Sequence, residues 1–150
     1  MLKVDENYIK ESIMENEGYR DTVYLCTEGH RTIGWGHKCT EDHWEDKVAY
    51  PQGYLRDVFD ADFNKAKKQM KEFLAQEDLA IKKEAEYILV EMIFQMGKNG
   101  VSKFRNMIKA LRGQNYSLAS IEMLDSLWYK QTPNRAKKLS DLMASLGENA

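Results

Sequence analysis

Cysteine and proline are both scarce, with two of each in 150 residues. Two cysteines, Cys26 and Cys39, are too few for a disulfide scaffold and suit a reducing compartment. So little proline, with only nine glycines, excludes collagen-like and low-complexity chains. Long apolar runs are also missing, so no membrane insertion is expected. Residues 1–7 show no apolar stretch of the kind a signal peptide needs, so the chain is expected to start in the cytoplasm of the cell that makes it. Three histidines, with no Cys or His partners at ligand spacing, give no metal site. A net charge of -2 provides no global basic field to draw the protein to nucleic acid. Acid outweighs base in residues 1–90 and the reverse holds in residues 91–150, so the later part is the better candidate for meeting a polyanion.

What is present describes a folded, mainly helical protein. The 43% hydrophobic content supplies a core, and 31% charge supplies a solvated surface. Tyr8, Ile9, Ile13 and Met14 share one face of a predicted helix over residues 5–17, which Gly18 stops. Residues 22–27 are rich in β-formers, Glu28-Gly29 reads as a turn, and residues 31–37 form the returning strand of a hairpin. Residues 38–54 read as a loop. Leu55, Phe59, Phe63, Ala66, Met70 and Phe73 recur every three or four residues and predict a long helix over 55–74. Residues 79–96 predict a buried helix ended by Gly97 and Gly100. Two more helices follow over 102–111 and 117–128. Thr132-Pro133 then opens a last helix, with Thr132 as N-cap and proline in the first turn.

The expected class is therefore α+β, mainly helical. A small lobe with a β-hairpin occupies about 13–54, a connecting helix about 55–74, and an all-helical lobe about 75–150 together with 1–12. Glu17 ends the first helix just before the hairpin, where a carboxyl group would face the strands. Cys26 and Thr32 sit on the two strands near the turn. Taken alone, each has an ordinary reading: a solvated carboxylate, a small buried thiol and a strand residue. Trp35, Trp44 and Trp128 are able to stack on sugars or to serve as core.

The stretch Glu17-Gly18-Tyr19-Arg20, then Tyr24-Leu25-Cys26-Thr27-Glu28-Gly29, then Thr32-Ile33-Gly34-Trp35-Gly36-His37, resembles the active-site region of phage-type lysozymes, the family 24 glycoside hydrolases. Eight residues separate Glu17 from Cys26 and five separate Cys26 from Thr32, the spacing of that family's Glu–Asp/Cys–Thr triad. Residues 92–104, with Met92-Ile93-Phe94-Gln95-Met96-Gly97, are similar to the family's central helix, and residues 128–136 to its C-terminal motif. The resemblance covers roughly residues 5–140 and implies a two-lobed endolysin-type lysozyme, with substrate between the lobes. It would hydrolyse the β-1,4 bond between N-acetylmuramic acid and N-acetylglucosamine. It implies Glu17 as general acid and Thr32 as the group that positions water. Arg135 would reach back to the Glu17 region and hold its carboxylate, and Phe94 and Gln95 would line the sugar groove. No metal or organic cofactor is implied. The partner is peptidoglycan, the expected state a monomer, and the expected location the host cytoplasm until a separate pore opens the way to the wall.

Cys26 departs from the usual acid-plus-carboxylate pair. A thiol there would act either as a base on water, giving inversion, or as a nucleophile, giving retention through a thioglycoside. A neighbouring carboxylate would raise its pKa, whereas a cation or a hydrogen bond would lower it. The segment from His37 to Phe59 is shorter than in the family, and Lys38, Met107 and Glu122 stand where family substrate contacts occur. Two alternatives stand beside the endolysin reading. One is a lysozyme-like module that binds peptidoglycan without turnover. The other is a virion-associated lysozyme used to pierce the wall.

Overall fold

Asp5 starts the first helix. Its Oδ1 accepts a hydrogen bond from the Tyr8 amide at 2.9 Å, as an N-cap does. In the computed structural model, which describes residues 3–147, α1 spans Glu6–Glu17. Gly18 ends it at φ +72°, a conformation glycine adopts without a Cβ penalty, and its amide bonds the Met14 carbonyl at 3.0 Å. Three antiparallel strands follow in the order β1 (Arg20–Leu25), β2 (Arg31–Gly34), β3 (His37–Lys38). Tyr24 pairs with Thr32 and Leu25 with Arg31, while Ile33 pairs with His37. The rest is helical: α2 (Gln52–Gln76), α3 (Lys83–Ser102), α4 (Arg105–Arg112), α5 (Tyr116–Leu124), α6 (Leu127–Gln131) and α7 (Pro133–Gly147). The fold is α+β and mainly helical, with the small sheet first, as the sequence led us to expect.

The chain divides into two compact units. One is Lys10–Lys65, which holds most of α1, the sheet, and the start of α2. Its core is Ile33, Trp44 and Leu55, with Val23, Trp35, Cys39, Tyr50 and Val58 packed against them. Trp44 is thereby a core residue. The other unit joins the residues before Lys10 to those from Ala66 onward. In it α5 packs on α7 and α4, and α3 on α7. Ile88, Leu89, Met92, Met107, Ile108, Met123, Leu139 and Met143 are buried there. Along α2, all six apolar positions predicted from their spacing are buried. Among the described residues, no helix is long and apolar enough to cross a membrane.

Four details differ from expectation. The single strand over 31–37 is two strands, because Gly34 and Gly36 take φ +63° and +77° and turn the chain between Ile33 and His37. The single helix over 117–128 is two, because Asp125 leaves helical geometry and Ser126 caps α6, its side chain accepting from the Tyr129 amide at 3.1 Å. Gly97 does interrupt α3, at φ 80° and ψ 162°, but helical turns resume and run to Ser102. The Thr132 hydroxyl donates back to the Trp128 carbonyl at 3.1 Å and accepts from Gln95 Nε2 at 3.3 Å, so its observed bonds knit α6 and α3 together.

His37 fastens β3 to α2. Its Nδ1 lies 2.8 Å from Asp62 Oδ2 and its Nε2 2.9 Å from Glu41 Oε1, and the Trp44 indole donates to the same Glu41 oxygen at 2.6 Å. The Asp62 hydrogen bond, aided by Glu41, outweighs partial burial and raises the imidazole pKa from 6.5 to about 9. The His37 and Trp44 hydrogen bonds hold Glu41 down from 4.5 to about 2.

Because the folded His37 value is raised, its stabilisation is complete below about pH 6.5 and disappears as the pH climbs through about 9. The depressed Glu41 value acts in the opposite sense: its share is complete above about pH 4.5 and disappears toward pH 2. The cluster should therefore stabilise most between those limits. Asp62→Asn should cost on the order of 2 kcal/mol near pH 6 and clearly less above the folded His37 value. Denaturant midpoints at the two pH values measure this, and equal losses would exclude the charged pair.

Candidate active site

The terminus of α1 and the turn at residues 34–36 meet at Glu17. A Cβ built on Gly36 would lie 2.6 Å from Glu17 Oε1 and 3.0 Å from its Cδ. Position 36 disfavours a side chain through its positive φ, and a Cβ there would oblige the Glu17 carboxyl group to move aside. The helix end supplies Glu17, and the sheet supplies the surface that fixes where its carboxyl group rests.

Tyr24 is the next element of the site, and sequence reasoning gave it no role of its own. Burial raises its phenol pKa first, and the negative charge of Glu17 raises it further, with smaller contributions from Cys26 and Cys39. The Arg20 guanidinium, 4.6 Å from the Tyr24 ring centroid, opposes them. Tyr24 thus lies in the fields of both Glu17 and Cys26. The signal that could have singled it out is its place in the motif, two residues before Cys26.

Cys26 opens the turn at the tip of the first hairpin. Its carbonyl accepts from the Gly29 amide and its amide donates to the His30 carbonyl, both at 2.9 Å. The thiol is free and half-buried. Its pKa is lowered from 9.0, chiefly by hydrogen bonds from the His30 and Glu28 backbone amides, against slight desolvation, with Thr32 helping. The question left open by the sequence is answered by the turn, whose amides favour the thiolate over the opposing charge of Glu28. Cys39 is also free, and burial pushes its thiol the other way. Thr32 is buried and its hydroxyl donates to the His30 carbonyl at 2.9 Å.

Glu17, Cys26 and Thr32 all belong to the Lys10–Lys65 unit, whereas Phe94, Gln95 and Arg135 belong to the other. Phe94 is half-buried on α3. The neighbouring Gln95 is held at both ends of its amide: Oε1 accepts from the Trp128 indole at 2.8 Å, and Nε2 donates to Thr132. Trp128 is itself buried, its ring edge-on to Phe104. Arg135 is buried and donates through Nε to Glu91 Oε2 at 2.8 Å. Sequence reasoning missed Glu91. Its signal was a lone charge inside the apolar run Ile88-Leu89-Val90-Glu91-Met92-Ile93. Both ring nitrogens of His37 are engaged by carboxylates. Among the described residues, no group of three His, Cys, Asp or Glu side chains is placed to hold a metal ion.

Gly36→Ala tests the close approach directly. The left-handed backbone should cost about 1–2 kcal/mol, and the new methyl group must push the Glu17 carboxyl from its seat. Any activity that depends on Glu17 should fall on the order of 100-fold while the protein remains folded at room temperature. Thermal melting and a peptidoglycan turnover assay, run side by side, separate the two effects. Unchanged turnover would show that the seat of Glu17 is unimportant.

The profile of the family described as phage lysozyme matches residues 14–144. The chain is 28% identical over 151 residues to the pre-baseplate central spike protein of Enterobacteria phage T4, covering 87% of this chain but only 26% of that protein. It is 26% identical over 167 residues to a probable T4-type lysozyme of Dictyostelium discoideum, covering 95% of this chain and 96% of that one. A peptidoglycan hydrolase of Pseudomonas phage phiKMV is 27% identical over 145 residues, which cover 96% of this chain and 16% of the relative. With the hairpin, the carboxyl group seated at its turn and a family match over most of its length, the chain belongs to the phage lysozyme family.

Proposed function

We propose that this protein is an endolysin-type lysozyme that hydrolyses the β-1,4 bond between N-acetylmuramic acid and N-acetylglucosamine, with Glu17 as general acid. As a member of the phage lysozyme family it is a glycoside hydrolase. The observation that supports the finer reading is the close approach of the Glu17 carboxyl group to Gly36, on the same small unit as a hydrogen-bonded thiol.

In this reading protonated Glu17 gives its proton to the bridging oxygen as the bond to the anomeric carbon breaks. The leaving sugar departs with a hydroxyl group. Positive charge builds on the anomeric carbon, and a water positioned by Thr32 attacks it. The water surrenders a proton to the Cys26 thiolate, which the Glu28 and His30 amides favour, and inverts the anomeric centre. Solvent then restores Glu17 to the acid and Cys26 to the thiolate. Direct attack by Cys26, giving a thioglycoside and net retention, is the competing route. Phe94, Gln95 and Arg135 serve as sugar contacts, peptidoglycan is the partner, and the protein acts as a monomer. It reaches the wall from the host cytoplasm through a separate pore.

The spike relative supports a second reading, a virion-associated lysozyme. Mass spectrometry of purified virions decides between the two, because an endolysin is absent from them.

Reducing-end release from purified peptidoglycan tests the reaction. Wild type should release ends and Glu17→Gln should not, while both melt alike. Release by neither folded protein would leave a wall-binding module. Alkylation of Cys26 should abolish turnover, and a glycan substrate should protect against it. Full activity after complete alkylation would remove Cys26 from the mechanism.

A further inference from the structure

The interior of α3 contains a carboxylate to which the proposed reaction gives no task. Glu91 is 0% exposed, with buried Val90 and Met92 on either side of it in sequence. An isolated carboxylate in such a place would be strongly disfavoured. Arg135 of α7, 8% exposed and 44 residues away, donates to it through Nε at 2.8 Å. Packing alone does not call for this pair, since apolar residues of similar volume often replace a buried ion pair without loss of stability.

We propose that Glu91 is a positioning residue that acts through Arg135, setting the direction in which the guanidinium presents its charge to the glycan. This rests on the proposed lysozyme function and on Arg135 as a substrate contact. A guanidinium is a rigid planar fork. A bond at Nε, the donor nearest the aliphatic stem, restricts the orientation of that fork and so of its terminal amino groups, of which Nη2 is buried. Gln95 lies one helical turn beyond Glu91 and grips the same stretch of chain. It accepts from Trp128 and donates to Thr132, three residues before Arg135. Two positions one turn apart on α3 therefore hold three side chains of residues 128–135. The carboxylate sets the angle of the arginine, and the amide sets the register of the segment that carries it.

Shortening Glu91 without removing its charge is the discriminating change. Glu91→Asp withdraws the acceptor by one methylene and should lower kcat/KM for reducing-end release on the order of 10- to 100-fold, chiefly through KM. Glu91→Gln keeps the acceptor at full length and should retain more of the activity. Glu91→Leu should lower kcat/KM in the wild-type background but cause no further loss in an Arg135→Met background, where it removes the carboxylate that Arg135→Met alone leaves buried without this arginine. Melting curves accompany every variant. Wild-type kcat/KM in folded Glu91→Asp, or an equal further loss from Glu91→Leu in the Arg135→Met background, would overturn the proposal. Co-sedimentation with purified peptidoglycan is measured in parallel. If wild type releases no reducing ends, the lysozyme reading fails, and Glu91 is judged on binding alone. Weaker binding by Glu91→Asp would support its positioning role, and unchanged binding would refute it.

Discussion

The missing side chain at residue 36 governs the arrangement of the smaller unit. A carboxyl group at the end of a helix would ordinarily sample many rotamers in water. Here the turn comes so close that a Cβ at position 36 would lie 2.6 Å from the carboxyl oxygen, which would then have to move. That approach requires the chain to reverse between β2 and β3, and the reversal requires two glycines at positive φ. β3 in turn carries His37, which Asp62 and Glu41 hold from α2 and the loop. The Glu17 carboxyl group, the turn and the imidazole thus follow one another along a single short stretch of the structure.

Both units use a cation to fix a backbone segment, with different physics. His37 is partly solvated and titrates, so its hold depends on pH. Arg135 instead meets a partner that is fully buried. The first arrangement secures a strand to a helix. The second secures one helix to another at a position where direction matters more than stability. The Glu77 carboxylate offers a third variation near the surface, with Arg105 bound to it at 2.8 and 3.1 Å and Arg112 donating to its carbonyl at 2.8 Å.

Where local periodicity dominates, the fold could be read from residues alone. The apolar spacing of α2 is one example, and the stop at Gly18 is another. Glu17, Cys26 and Thr32 were grouped through the family resemblance, since each residue alone had an ordinary reading. The division of residues 31–37 into two strands was not, since a glycine at positive φ looks the same in sequence as one in a strand. Ser126 concealed the break between α5 and α6, because a serine caps a helix only if its neighbours leave helical geometry. The lowered Cys26 thiol rests on backbone amides, which have no residue code. Glu91 stood in plain view as a charge in an apolar run, but its partner lies far along the chain.

The smaller unit is an insertion within the larger one. Residues 3–9 belong with those from Ala66 onward, and their contacts close very long loops: Glu6 bonds Lys67 at 2.6 Å, and Tyr8 lies beneath the Lys138 ammonium. On a ribosome these residues emerge before Lys10–Lys65 and find their last partner only after α7 has been made. The larger unit must pay its loop-closure entropy late, whereas every residue of Lys10–Lys65 is available to its neighbours early. Joining residues 3–9 to the chain after α7 by circular permutation would turn that distant contact into a near one, and so convert the order of synthesis into an order of assembly.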